Sequence, residues 1–196
     1  MESRTKAGAL REHSRVLVLA SSTTAPADAV CDDLLVTAPA ADLRVLEIAY
    51  ERRPAEIVDA WRRRHDALPA ALAIVCPDAR HDDGTVLPET VHVTTVAPAD
   101  LTGVSIAVSR YLDRWDDAGV PTAACLDSLS ALLQYADQDR VFRFLHTLTG
   151  RFAAAGATGH VHLDPATQDE QTIATLATLF DSLVRYDDGE WTVKRS

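Results

Sequence analysis

Short apolar runs alternate along this chain with segments whose apolar residues recur at helical spacing. These runs lie at residues 16–20, 43–50, 72–76 and 123–127 and are too short to form helices. Residues 91–96, which alternate in polarity, and residues 160–163 are predicted as further strands. The helical segments end near residue 35 or span residues 54–64, 101–115, 137–155 and 169–180. Because this alternation is typical of parallel sheets, we predict an α/β fold with a mostly parallel central sheet and helices on both faces.

The chain closes with two alternating runs that predict an antiparallel hairpin. They span residues 182–186 and 190–194, and Asp187, Asp188 and Gly189 between them are typical of a tight turn. Residues 1–14 are polar and predict a frayed tail before the first strand. No linker or low-complexity segment interrupts residues 15–196, so we predict that they form a single domain.

The charge of the chain limits the partners that it can bind. Its 196 residues carry a formal net charge of −10, with two lysines and many aspartates. An acidic surface of this kind repels nucleic-acid phosphates, so we expect no binding to DNA or RNA. The lysine-poor, aspartate-rich composition resembles that of proteins from salt-loving archaea, whose acidic surfaces remain soluble in concentrated salt.

The sequence also favours a cytoplasmic protein that does not enter membranes. No stretch approaches about 20 uninterrupted apolar residues, and the N-terminus lacks the apolar core of a secretory signal. The three cysteines, Cys31, Cys76 and Cys125, are odd in number and scattered. We therefore expect them to be reduced, buried thiols.

The apolar run at residues 123–127 ends on an acid, Asp127, which is followed by Ser128. In an open parallel sheet, ligands bind outside the carboxyl ends of the strands. Asp127 is therefore predicted to lie where a ligand would meet the sheet.

Two motifs resemble the RecA-like ATPase superfamily, in its circadian-clock and gas-vesicle-regulator branch (KaiC and GvpD types). Residues 124–133 (ACLDSLSALL) resemble the Walker B strand, and residues 49–58 (AYERRPAEIV) resemble the second-strand motif with its pair of glutamates. The resemblance covers about residues 15–194 and implies a RecA-like P-loop NTPase core. Residues 132–151 and 160–181 are more similar to an uncharacterised haloarchaeal family of that superfamily.

The nucleotide site that this resemblance implies is degenerate. A P-loop, GxxxxGK[ST], holds phosphates with backbone N–H groups and a lysine, but residues 21–28 here read SSTTAPAD. Glu51 matches one of the two catalytic glutamates, whereas Arg52 stands at the other position. The residues that would contact any nucleotide are Ser21, Ser22, Thr23, Thr24, Asp127 and Ser128.

A second group of candidate residues, His160, His162 and Asp164, recurs at every second position. On a strand their side chains would face one side and could offer two imidazoles and a carboxylate to zinc. However, HxHxD hydrolases carry a second histidine directly after the aspartate, where this chain has Pro165. A further ligand would have to come from His146, Asp127 or Asp169. The alternative is a hydrogen-bonded polar cluster, and we predict no metal or other cofactor.

Taken together, these patterns favour a non-catalytic regulatory or protein-interaction domain, of a signalling type, with a protein partner or self-association. Asp127 and Glu51 would be remnants of a catalytic site. Two alternatives remain open: a weak nucleotide-binding protein that uses these two acids, and a metal-dependent hydrolase built on the HxHxD cluster.

The helix predicted at residues 137–155 has a clear inner side. Residues at helical spacing that should face the sheet are Val141, Phe144, Leu145, Leu148 and Phe152. Residues expected on or near the opposite side are Arg140, Arg143, Thr147 and Arg151.

Overall fold

The computed structural model describes residues 15–21, 25–77, 86–116, 119–187 and 190–195. The strands in these residues are β1 (Arg15–Leu19), β2 (Arg44–Ala49), β3 (Ala71–Cys76), β4 (Val91–Thr95), β5 (Thr122–Asp127), β6 (Thr158–Leu163), β7 (Ser182–Asp187) and β8 (Glu190–Arg195). The α-helices are α1 (Ala25–Leu35), α2 (Pro54–His65), α3 (Leu101–Arg114), α4 (Leu129–Leu132), α5 (Gln138–Ala154) and α6 (Glu170–Ala177). Short 3₁₀ turns lie at Ala40–Asp42 and Pro165–Thr167.

The strands form one sheet in the order β4-β3-β2-β5-β6-β1-β7-β8. Neighbouring strands are parallel except for β7 and β8, which form the antiparallel hairpin. The predicted α/β class and the C-terminal hairpin are therefore confirmed. The predicted N-terminal tail and the turn residues Asp188 and Gly189 lie outside the described residues, as does the segment 79–85, whose polar sequence predicts a loop.

The two faces of the sheet are covered by different helices, because alternate residues of each strand point to opposite sides. On the side that we call the back face, Leu46, Ile48 and Leu126 pack in one apolar cluster with residues of α3, α4, α5 and α6. On the other side, the front face, Val45 and Ala123 pack with residues of α1 and α2. The front face continues over β1 and β7 in a smaller cluster beneath α1.

Helix α5 lies on the back face in the orientation that its sequence predicts. The carboxylate of Asp137 caps its first turn by accepting a hydrogen bond from the Arg140 backbone N–H at 3.0 Å. The five predicted inner residues, Val141, Phe144, Leu145, Leu148 and Phe152, are all buried. Arg140, Arg143 and Thr147 are exposed, and Arg151 is half-buried.

The strand order creates a switch point between β2 and β5. These two strands are neighbours, but the chain leaves β2 towards β3 on one side and leaves β5 towards β6 on the other. Such a divergence opens a crevice at the carboxyl ends of the two strands, which is where open α/β sheets bind ligands. None of the helices in the described part of the chain combines the length and apolar character needed to cross a bilayer.

Candidate functional site

The switch point brings the end of β2 next to the end of β5. Ala49 pairs with Asp127 in the parallel register, and the Tyr50 backbone N–H donates to the Asp127 carbonyl oxygen at 2.6 Å. The predicted position of Asp127 at the carboxyl edge of the sheet is therefore observed. The residues that follow β2, including Glu51 and Arg52, lie at the same edge.

Arg52 forms the centre of this edge through two ion pairs. Its Nε donates to Asp127 Oδ2 at 2.9 Å, and its Nη2 donates to Glu47 Oε2 at 2.9 Å. The second oxygen of Glu47 accepts a hydrogen bond from Trp61 Nε1 on α2, also at 2.9 Å. One guanidinium thus joins the carboxylates of two neighbouring strands, and α2 contributes the Trp61 indole N–H to the same network.

Burial makes it costly for the carboxylates of this network to carry a charge without a nearby cation. The Glu47 side chain is 3% exposed, whereas those of Asp127 and Arg52 are 16% and 26% exposed. Burial raises the pKa of the Glu47 carboxyl, and the charge of Arg52 opposes that rise. Burial lowers the pKa of Arg52, but Glu47 and Asp127 raise it by more, so the guanidinium stays charged.

Among the other residues expected at a nucleotide site, Ser128 has a structural role, and three lie outside the described residues. Ser128 is buried and caps α4, because its Oγ accepts a hydrogen bond from the Ala131 backbone N–H at 3.1 Å. Glu51 is exposed to solvent, and Ser21 is partly buried. Ser22, Thr23 and Thr24 are outside the described residues.

A second group of side chains lies deeper, between the sheet and α1. Cys31 of α1, Cys125 of β5, and His160 and His162 of β6 bring one Sγ or ring nitrogen each to within 4.8 Å of one another. Cys125 and His160 are partners in the register of β5 and β6, and Glu47 is the partner of Cys125 on β2. This cluster therefore lies in the same polar row of the front face as the Arg52 network.

Short contacts link the members of this cluster. The sulfurs of Cys31 and Cys125 are 3.8 Å apart, and His160 Nε2 is 3.2 Å from Cys31 Sγ. The rings of His160 and His162 are 5.0 Å apart and meet edge to face. A hydrogen bond from Cys125 and the charges of the two histidines hold the pKa of Cys31 well below its ordinary value, whereas burial raises that of Cys125.

Three of the other proposed metal ligands, Asp164, Asp169 and His146, lie outside the buried cluster. Strand β6 ends at Leu163, and the Asp164 carboxylate caps the following 3₁₀ turn by accepting from the Ala166 backbone N–H at 2.9 Å. Asp169 caps α6 by accepting from the Thr172 backbone N–H at 2.7 Å, and His146 is exposed on α5. The HxHxD motif therefore contributes two histidines to the buried cluster, without its aspartate.

The sequence does not predict the contacts of four residues that are central to these arrangements. Cys31 and Cys125 are 94 positions apart, so no ligand spacing links them to each other or to the histidines. Glu47 lies inside an apolar strand, and only the register shows that it shares a row with Cys125. The sequence shows Arg52 as a departure from the catalytic glutamate pair, but its pairing with Asp127 depends on the neighbouring strand.

The comparisons with known proteins agree with this α/β architecture. The model of a family of unknown function, DUF7504, matches residues 14–186. The chain belongs to this family. No curated protein matches it. The chain is therefore a member of an uncharacterised family and has an α/β fold.

Two solved structures from the archaeon Pyrococcus horikoshii have a similar fold. One is the uncharacterized protein PH0321 in complex with an unknown peptide, with a TM-score of 0.61, 13% identity, and coverage of 94% of this chain and 92% of that one. The other is PH0250 from strain OT3, with a TM-score of 0.61, 10% identity, and coverage of 98% and 92%. At this level of identity the likeness extends to the fold alone.

Proposed function

We propose that this DUF7504 member is a non-catalytic domain of the RecA/KaiC-like type that binds a protein or peptide partner and has a regulatory role. Its acidic, lysine-poor composition supports a halophilic archaeon as the source, and its three free, buried thiols support a reducing compartment such as the cytoplasm. Its folded state should then need salt to screen its surface charge, so its melting temperature should rise with KCl concentration.

The observation that carries the non-catalytic assignment is the pairing of Arg52 with Asp127. In a nucleotide hydrolase that resembles this fold, the strand-end aspartate helps to hold a magnesium ion. Here Asp127 already accepts a charge-assisted hydrogen bond from Arg52, which also neutralises Glu47. A magnesium ion would have to displace the chain's own cation from these carboxylates.

The sequence of the first loop supports the same proposal. Residues 21–28 offer neither the glycines that let backbone N–H groups surround a phosphate nor the lysine that neutralises it. Magnesium in nucleotide sites is held by a few carboxylates together with the phosphates themselves. Without bound phosphates as further ligands, a magnesium ion would not be held strongly enough to displace Arg52 from Asp127.

Calorimetry with Mg-ATP in multimolar KCl tests the non-catalytic assignment. We expect no heat of binding for the wild-type chain, and no release of phosphate over long incubation. A micromolar affinity that Asp127→Ala abolishes would contradict the proposal and favour the weak nucleotide-binding alternative.

A cleft between α6 and the C-terminal hairpin is the surface that we propose for the partner. It has a volume of about 420 Å³ and an apolar floor that includes Leu19, Ile173 and Leu183. Its rim carries the basic residues Arg185, Lys194 and Arg195, with Glu170 as the acid. A basic rim on a chain of net charge −10 favours an acidic, partly apolar peptide segment. PH0321, a protein of similar fold, was solved in complex with an unknown peptide, which supports a peptide as the kind of ligand but says nothing of its charge.

Selection from a displayed peptide library tests this surface. We expect the wild-type chain to enrich acidic peptides and the double variant Arg185→Glu/Lys194→Glu to lose them. Arg63→Glu provides a matched control, because Arg63 is exposed on α2 and does not line the cleft. Enrichment that is equal in the double variant and the control would exclude the cleft as the binding surface.

A further inference from the structure

The buried cluster beneath α1 has the composition of a metal site. It offers two thiols and two imidazoles from three separate elements, and all four side chains are at least nine-tenths buried, with exposures of 7%, 0%, 2% and 5% for Cys31, Cys125, His160 and His162. Their four ligand atoms all lie within 4.8 Å of one another. Neither the Arg52 network nor the cleft uses these groups.

Two of the distances in the cluster are close to those around a tetrahedral zinc ion. Two Zn–S bonds of about 2.3 Å at the tetrahedral angle place the sulfurs about 3.8 Å apart. The sulfurs of Cys31 and Cys125 are 3.8 Å apart in the structure. One sulfur and one imidazole nitrogen should be about 3.5 Å apart by the same geometry, and His160 Nε2 is 3.2 Å from Cys31 Sγ.

An independent observation concerns the second histidine. His162 Nε2 is fully buried and forms no hydrogen bond of normal geometry within the described part of the chain. A buried polar nitrogen without a partner is costly, and such groups in native proteins often mark an ion or water that completes their bonding. Since this histidine belongs to the cluster, a metal ion there would complete its bonding.

We propose that Cys31, Cys125, His160 and His162 bind one structural zinc ion. Two thiolates with two imidazoles are a zinc donor set, whereas magnesium and calcium prefer oxygen. Two thiolates also balance the charge of Zn²⁺, so the complete site is neutral and compatible with its apolar surroundings. All four coordination positions come from the chain and are buried, which is typical of a structural zinc site and leaves no position for a substrate.

The zinc ion would fix α1 to the centre of the sheet. Cys31 is its ligand on the helix, while the other three ligands lie on the adjacent strands β5 and β6. Helix α1 follows the loop that would hold phosphates in a nucleotide-binding relative. In this chain, the metal would replace a bound nucleotide as the contact that orders this part of the front face.

Metal analysis of the untagged, full-length chain, expressed in zinc-supplemented medium, tests the proposal. We expect about one zinc per chain that survives extensive dialysis. X-ray absorption at the zinc edge should show two sulfur ligands at about 2.3 Å and two nitrogen ligands at about 2.0–2.1 Å.

Matched variants test the individual ligands. Cys125→Ser and His162→Ala should each lose most of the zinc. Cys76→Ser and His146→Ala should retain it, because Cys76 is a buried cysteine on β3 outside the cluster and His146 is exposed on α5. If the ligand variants fail to fold, cobalt substitution of the wild-type chain still reports the site, through thiolate charge-transfer bands and the spectrum of tetrahedral Co²⁺.

Three results would overturn the proposal. The first is wild-type protein that holds only a small fraction of an equivalent of zinc after growth with the metal. The second is a zinc absorption spectrum without sulfur neighbours. The third is a Cys31–Cys125 disulfide in protein purified with zinc present, which would assign the sulfur pair to redox chemistry.

Discussion

The two faces of the sheet differ in the side chains that they bury: the back face buries apolar side chains, whereas the front face also buries polar ones. The back face is one continuous cluster of apolar side chains beneath α3, α4, α5 and α6. The front face has two separate apolar clusters beneath α1 and α2, with a polar row across the sheet. Glu47, Cys125 and His160 form this row, because they are register partners on three adjacent strands.

Because of this difference, the back face mainly stabilises the fold, whereas the front face carries the groups that could bind a ligand or a metal ion. Apolar burial on the back face stabilises the fold directly, without any requirement for specific partners. The polar row of the front face is costly unless every group in it has a partner. Arg52 and Trp61 supply those partners to Glu47, and we propose that zinc supplies them to the thiols and imidazoles.

The largest effect of a single substitution is expected on the back face. Phe144→Ala should lower the free energy of unfolding by about 3–5 kcal/mol, because Phe144 is 5% exposed and its removal leaves a cavity against the sheet. Chemical denaturation followed by circular dichroism measures the loss. Phe142→Ala is the matched control, since Phe142 is on the same helix but only half-buried, and its loss should be clearly smaller. Equal losses would mean that helix α5 is not anchored by this face.

On the front face, Arg52→Ala should cost about 3 kcal/mol, since it leaves the buried Glu47 without its cation. Loss of Arg52 also removes the charge that opposes the rise in the pKa of Glu47. A carboxyl whose pKa is raised by folding destabilises the protein above that pKa and ceases to do so when it is protonated. The penalty should therefore shrink as the pH falls through the raised pKa of Glu47.

Two control variants sharpen this experiment. Arg63→Ala removes an exposed arginine from α2 and should have little effect at any pH. The double variant Glu47→Gln/Arg52→Ala should recover part of the loss, because it removes the uncompensated charge while the introduced amide oxygen can still accept a hydrogen bond from Trp61. A penalty for Arg52→Ala that does not change with pH would mean that Glu47 is not its cause.

Zinc should stabilise the protein through the front face, independently of substitutions on the back face. Free zinc at about 100 times its dissociation constant should raise the free energy of unfolding by about 2.7 kcal/mol over the metal-free chain. Thermal denaturation before and after chelation measures this difference. It should persist in Phe144→Ala, because effects at distant, independent sites add. Loss of the zinc effect in Phe144→Ala would show that the two faces are coupled.

The contrast between the faces also explains what the sequence could predict. The back face follows from local periodicity, since the five inner residues of α5 recur at helical spacing and all are buried. The strand–helix alternation likewise predicts the parallel sheet, and the Asp-Asp-Gly turn predicts the hairpin. Each of these signals depends on residues that are close together in the chain.

The front face depends on residues that are far apart in the chain. The alternation of His160 and His162 shows that they share one side of a strand, but it extends falsely to Asp164, which follows the end of β6. Cys31 and Cys125 join the histidines only because α1 packs against β5 and β6, and because these two strands are paired. The sequence therefore predicts half of the cluster, and the strand order is needed for the rest.

The smallest effect is expected on the solvent side of the same back-face helix. Arg143→Ala should change the free energy of unfolding by no more than about 0.5 kcal/mol, because Arg143 is exposed and points away from the residues that pack on the sheet. Denaturation compared directly with Phe144→Ala measures the contrast between adjacent positions of one helix. Arg143 also lines a shallow groove with Arg140 and Leu101, so sedimentation should accompany the measurement. Weaker self-association at unchanged monomer stability would assign Arg143 to an interface between copies of the chain. If Arg143→Ala unfolds the monomer while Phe144→Ala is neutral, the inner face of α5 has been assigned to the wrong side.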